Sequence, residues 1–239
     1  DAPVYSRKNP FPATLKVHEK LTGEGSVKDI RHFEIDLAGS GINYDLGDSL
    51  GVFPHNDPDY VAELLQVLKC DGNEPVSNPA GEEVSLRDAL TKFYAATGVS
   101  RKVVKTIGEL AGNDDLLGLL EKERSKEFKE WCEGREVIDL LQQHPSVSFS
   151  AADFVGLLGK LQPRLYSIAS SLLVHPDEVH LTVARVEYDA HGRRRKGVCS
   201  TFLSDRAPLE SKMDVFIHVA KGFKPPTRDD VPMIMVGPG

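Results

Sequence analysis

Pro163-Arg164-Leu165-Tyr166-Ser167 places a cation, a flat aromatic ring and a hydroxyl on one short stretch of chain. On a β-strand the period of two puts Arg164 and Tyr166 on one face. There a guanidinium can hold a pyrophosphate through paired hydrogen bonds and a phenol can lie against a ring system. An ordinary strand with a surface arginine and a half-buried tyrosine carries the same letters, so this stretch alone names no ligand. A second candidate is Gly197-Val198-Cys199-Ser200-Thr201-Phe202-Leu203, which reads as a glycine turn entering a helix. Backbone N–H groups and the helix dipole make such a start an anion site, and a hydroxyl there adds a donor. A Ser/Thr cap with nothing bound has the same wording.

Other chemistries find little support. Cys70, Cys132 and Cys199 are odd in number and far apart, which suits neither a disulfide framework nor a zinc site. The eight histidines show no paired ligand spacing along the chain, so no metal is expected. Cys199, in a turn at a helix start, could be a reactive thiol, but packing is the preferred reading. Arg193-Arg194-Arg195-Lys196 follows a hairpin turn at Asp189-Ala190-His191-Gly192. It is read as a solvated loop, with a basic contact for an acidic partner as the sharper alternative. A net charge of −7 argues against a nucleic-acid binder. No apolar run reaches the roughly 20 residues of a membrane helix, and DAPVYSRKNPFP lacks a signal-peptide centre. A cytoplasmic protein bound to neither membrane nor nucleic acid is therefore expected.

The elements that must hold these residues can be sketched from pattern. Strand signals run over Ala13 to Leu21 and Ile30 to Leu37, which suggests an antiparallel pair, and again over Gly47 to Phe53. Asp57-Pro58 then opens a helix carrying Val61, Leu64, Leu65 and Leu68. Ser85 begins a capping-box-like start, and Ser100, Asn113 and Ser125 are further caps, with a helical stretch from Asp114 to Glu123. Strand signals return at Arg164 to Ala169, Glu178 to Tyr188 and Met213 to Ala220. Each β portion is too short for a sheet or barrel of its own, so one β-domain interrupted by a helical insertion is inferred. Lys221 to Asp230, with Pro225-Pro226, reads as a linker.

Taken in order, P-R-L-Y-S-I-A-S-S, V-H-L-T-V-A-R-V-E-Y and G-V-C-S-T-F-L closely resemble the FAD-binding core of the ferredoxin–NADP reductase superfamily. The resemblance covers nearly the whole chain, and the helical middle is similar to the connecting domain of the diflavin reductase family. Within that family the wording around Tyr166 and Tyr188 is most similar to the sulfite reductase branch.

The resemblance implies an α+β fold: an antiparallel β-barrel over residues 1–56 and 159–228, interrupted by a mostly helical connecting insertion over 57–158. Residues 229–239 would be the first strand of an NADP-binding Rossmann-like domain. It further implies that Tyr166 lies against the flavin, Arg164 binds the pyrophosphate, and Leu165 is a further cofactor contact. Ser167 would be the catalytic residue, near flavin N5, where it steadies the ring. Thr182, Val183 and Ala184 would follow the flavin with their backbone, and Tyr188 would be an aromatic contact. Gly197, Val198, Cys199 and Ser200 would form the phosphate turn, and Thr97 in the insertion would reach the FAD. The implied activity is an NADPH-dependent oxidoreductase passing electrons from FAD to FMN in a preceding domain or separate chain. A haem or iron–sulfur reductase subunit would follow.

Val231-Pro232-Met233-Ile234-Met235-Val236-Gly237-Pro238-Gly239 reads as a strand running into a glycine turn. No complete G-x-G-x-x-G stands elsewhere; Gly23-Glu24-Gly25 and Gly39-Ser40-Gly41 read as turns. These 239 residues alone are therefore expected to lack a whole nicotinamide site. The alternatives are a non-enzymatic FAD-holding or partner-docking module, and a reductase serving a ferredoxin-like or P450-type acceptor.

Overall fold

The structure, a computed structural model, describes residues 5–228 and 230–236. Among them are ten strands: β1 (Phe11–Lys20), β2 (Ile30–Asp36), β3 (Ser49–Val52), β4 (Pro75–Ser77), β5 (Glu83–Ser85), β6 (Arg164–Ser167), β7 (Glu178–Ala184), β8 (Glu187–Ala190), β9 (Arg193–Lys196) and β10 (Lys212–His218). The chain divides into two compact units. One comprises Asp1–Phe53, Pro163–Arg185 and Leu203–Gly239, and the other Pro54–Gln162 and Val186–Phe202.

The first unit is built on a six-stranded antiparallel sheet in the order β6-β3-β10-β1-β2-β7. Alternation makes these strands. Ala13 and Leu15 on β1, Phe33 and Ile35 on β2, Val179, Leu181 and Val183 on β7, and Met213 and Val215 on β10 are all buried. A one-residue slip would turn each set to solvent, so burial fixes the register. Gly51 on β3 lies opposite Phe216, and a Cβ there would come within 2.2 Å of the Phe216 ring. The glycine is what lets that ring cross the strand. Past the end of β6, Ile168 makes an isolated antiparallel bridge with Leu181, and the Ala169 N–H donates to the His180 carbonyl at 2.9 Å.

The second unit is mainly helical, with α1 (Pro58–Leu68), α2 (Leu86–Asp88, continued as a π-turn over Ala89–Phe93), α3 (Arg101–Ala111), α4 (Asp114–Gly118), α5 (Ser125–Cys132), α6 (Val137–Gln143), α7 (Ala151–Leu157) and α8 (Val198–Thr201). Asp57 caps α1 through the Asp59 N–H, and Ser85, Ser100 and Asn113 cap α2, α3 and α4 by accepting from the N–H three residues on. The helices bury one core, in which Leu64, Leu86, Leu90, Val104, Ile107 and Ile138 are fully enclosed.

Several expectations need correction. Ser125 caps nothing: the 3-10 turn Lys122–Arg124 delivers it already in helical geometry, and its hydroxyl donates to the Lys122 carbonyl at 2.8 Å. The helix expected from Asp114 to Glu123 ends at Gly118, and the 3-10 turn at Lys122 leads into the next helix. The strand expected to reach Tyr188 stops at Ala184, and Tyr188 belongs to β8. Val231 to Val236 form no strand, because a strand needs a hydrogen-bonded neighbour and they have none among the described residues; the expected turn at 237–239 lies outside those residues. No helix among the described residues is long and apolar enough to cross a membrane.

The arginine run is the largest correction. β8 and β9 form a hairpin whose turn residues His191 and Gly192 both have positive φ, 50° and 72°, as a two-residue type I′ turn requires. Yet Arg195 is only 2% exposed. Its guanidinium donates to Glu136 at 3.0 Å and to Asp139 at 2.6 Å, while Arg193 reaches Glu63 at 2.7 Å. The two carboxylates at the α6 start draw Arg195 inward, so Arg193 and Arg195 are anchored while the alternate residues Arg194 and Lys196 stay exposed as expected. Burial pushes the Glu136 carboxyl up, against the opposing pull of Arg195.

Candidate functional site

In the first unit, β6 lies against β3, pairing Arg164 with Val52, Leu165 with Gly51, Tyr166 with Leu50 and Ser167 with Ser49. Arg164, Leu165 and Ser167 are exposed and Tyr166 is half-buried. The two-residue period puts Arg164 and Tyr166 on the same face. The Arg164 guanidinium has no ion pair or hydrogen bond among the described residues. That sets it apart from Arg31, bound to Asp29 at 2.9 Å, and from Arg185, bound to Asp205 at 2.8 Å. An unpaired guanidinium beside an aromatic ring and a hydroxyl can take an anionic group attached to a planar one.

β7 stands at the other end of the strand order. Thr182 and Ala184 are exposed, whereas the Val183 side chain points into the core, so Val183 can meet a ligand only through its main chain. The Ile168–Leu181 bridge links the chain just after Ser167 to the residue just before Thr182.

In the second unit, Tyr188 is 47% exposed and pairs across the hairpin with Arg195. Gly197 caps α8, and a Cβ on it would lie 2.6 Å from the Ser200 hydroxyl and 2.8 Å from Val186. The Ser200 hydroxyl accepts from the Val186 N–H at 3.1 Å and donates to the Gly197 carbonyl at 3.3 Å. Ser200 and Cys199 are both buried, so their side chains build the turn, and what the turn presents outward is backbone. Thr97 is half-buried, and its carbonyl accepts from the Val137 N–H that opens α6.

One group of residues escaped the sequence reading. His32 and Glu34 on β2 meet His180 on β7, and His175 meets Glu178 and His180, with the candidate ligand atoms of each trio within 4.8 Å of one another. The signal was present as His-x-Glu and Glu-x-His, a spacing that puts two donors on one face of a strand. Helical spacings do not reveal it.

An exposed arginine beside a half-buried tyrosine on a sheet strand is a feature that a nucleotide-cofactor-binding protein can use. The family model described as "FAD binding domain" matches residues 3–202, and the chain belongs to that family. It is 44% identical to the "Sulfite reductase [NADPH] flavoprotein alpha-component" of Bacillus subtilis over 98% of this chain and 39% of that protein. Proteins of the same name from Serratia proteamaculans and Vibrio cholerae are 40% and 42% identical, over 100% and 98% of this chain and 39% and 38% of theirs. The chain thus spans less than two thirds of the length of the curated relatives it matches.

Proposed function

We propose that the chain is the FAD-binding portion of an NADPH-dependent flavoprotein reductase of the sulfite reductase type. The observation that carries this is the exposed, unpaired Arg164 beside Tyr166 and Ser167 on β6. In this reading Arg164 holds the pyrophosphate, Tyr166 stacks on the flavin, and Ser167 orients the ring through its hydroxyl. Leu165 and the β7 residues Thr182, Val183 and Ala184 contribute contacts and backbone. Tyr188, Thr97 and the turn Gly197, Val198, Cys199 and Ser200 are further contacts. FAD, when bound, supplies the redox chemistry, taking hydride from NADPH and releasing electrons one at a time. The protein binds and orients it.

The layout we propose is a barrel made by closing the sheet of the first unit, with the helical unit as an insertion in its sequence. The Ile168–Leu181 bridge and the Ala169–His180 hydrogen bond support closure, since they join the first and last strands of the order. NADPH, an FMN or flavodoxin-like domain, a haem or iron–sulfur acceptor subunit and a cytoplasmic setting complete the reading. It rests there on the resemblance and on the relatives' printed name.

The test is the flavin itself. The purified protein should be yellow and release FAD on denaturation, and Tyr166→Ala should weaken FAD binding by about 2 kcal/mol, roughly thirtyfold. A colourless protein, or unchanged retention in Tyr166→Ala, would overturn the assignment.

A further inference from the structure

The second cluster of donors takes no part in the FAD reading. It lies on the face of β7 opposite Val179, Leu181 and Val183, within the first unit. β2 and β7 pair in a register that sets Glu34 opposite His180 and His32 opposite Thr182. His175 enters from the preceding turn, where its N–H donates to the Ser171 carbonyl at 2.8 Å.

Two imidazoles converge on one carboxylate oxygen. Glu178 Oε2 lies 3.1 Å from His180 Nε2 and 3.4 Å from His175 Nδ1. Separate His–Glu hydrogen bonds have no need to share an oxygen, and Glu178 has a second one to offer. Three donors around a common centre do have to approach one another this way. With metal–ligand bonds of about 2.0–2.1 Å, the edge of a tetrahedral zinc site is about 3.3–3.4 Å, close to both separations.

The main chain bearing these ligands is fixed independently of them. The Tyr44 hydroxyl donates to the Glu178 carbonyl at 2.8 Å and lies 2.7 Å from the Ser170 hydroxyl, which in turn accepts from the His180 N–H at 2.9 Å. A site on rigid elements with a supporting hydrogen-bonded shell loses little order when an ion binds. His180 is nearly buried whereas the His175 and Glu178 side chains are about two-fifths exposed, which leaves an entry path.

We propose that His175, Glu178 and His180 form a binding site for a divalent transition metal of the zinc class. Water fills the fourth position, and His32 and Glu34, the other two members of the neighbouring trio that shares His180, support it from β2. Bound there, the ion ties the turn before β7 to the strand itself.

The intact protein, treated with chelator and titrated with zinc chloride in a calorimeter, should show one saturable site. Cobalt(II) in place of zinc should give the visible bands of a four-coordinate ion. His180→Gln and His175→Gln should each weaken zinc binding at least about tenfold, and both should lose the rise in melting temperature that zinc gives the unaltered protein. His218→Gln, an exposed histidine on β10, should leave binding unchanged. His175 sits on a half-exposed turn, so its variant keeps the test decisive if His180→Gln folds poorly. No saturable binding, or zinc affinity unchanged in His175→Gln, overturns the proposal.

Discussion

β6 and β9 are both four-residue strands carrying arginine, and Arg164 on one and Arg195 on the other have opposite fates. Arg164 is exposed and unpaired among the described residues, while Arg195 is buried between Glu136 and Asp139. The letters around them point the other way, since Arg195 sits in a run of four cations that reads as solvated and Arg164 sits among apolar neighbours. Partners decide. A carboxylate pair at a helix start elsewhere in the chain made Arg195 structural, and no such pair meets Arg164 among the described residues.

The sharpest way to break this contrast is Arg195→Ala. Removing one member of a buried ion-pair group leaves the others uncompensated, so a loss of about 3–5 kcal/mol is expected in urea unfolding. A loss below about 1 kcal/mol would show that the pair is not buried in solution.

Gly197→Ala comes next. Its methyl would press on Ser200 and Val186, and about 1–3 kcal/mol should go as the turn is forced open. The same variant should bind FAD less tightly if the turn is a phosphate seat, which flavin release would measure.

Arg164→Ala should do the reverse of Arg195→Ala. Stability should stay within about 0.5 kcal/mol, while FAD affinity falls by about 1.5–3 kcal/mol through loss of a charge-assisted bond. If unfolding shifts and FAD retention does not, the two arginines have been assigned the wrong way round.

The smallest effect separates the units by pH. Burial raises the Asp48 carboxyl, but Lys224 and the N–H groups of Ala220 and Asp45 outweigh it and hold the group below its usual range. Its stabilisation is present above the unfolded pKa and is lost as pH falls through the folded one. Glu136 is shifted upward by burial, so its contribution is present below the unfolded pKa and lost as pH rises through the folded one. Asp48→Asn should therefore flatten the acid side of a stability profile and Glu136→Gln the side above it. Identical profiles for the two variants would sink the distinction.

Local chemistry was legible in the sequence. The Asp57-Pro58 start, the Ser100 and Asn113 caps and the His191-Gly192 turn each depend on residues within a few positions of one another, and each formed as read. Ser125 shows the limit even there, because a preceding 3-10 turn took over its role. What stayed hidden depends on chain partners far away. Arg195 meets carboxylates 59 and 56 residues distant, and the β2 and β7 histidines meet only after the sheet sets its register. For the proposed cofactor site, the β6 residues were legible by type, while the exposure of Arg164 and its lack of a side-chain partner among the described residues were not.

The pairing of β3 with β6 has a consequence in time. Leu50 and Tyr166 are neighbours across the sheet, yet the chain between them is far longer than the β1–β2 connection, though shorter than the spans that bring in β7 and β10. Closing a loop of on the order of a hundred residues costs about 2 kcal/mol more than closing one of about ten. The β1–β2 hairpin, with its short connection, should therefore gain amide protection early in refolding, and Tyr166 should be protected later, as pulse-labelled hydrogen exchange would register. By the same measure β7 and β10, whose sheet partners lie farther away in sequence, should be protected later still, so β6 joins the sheet after the β1–β2 hairpin and before its completion.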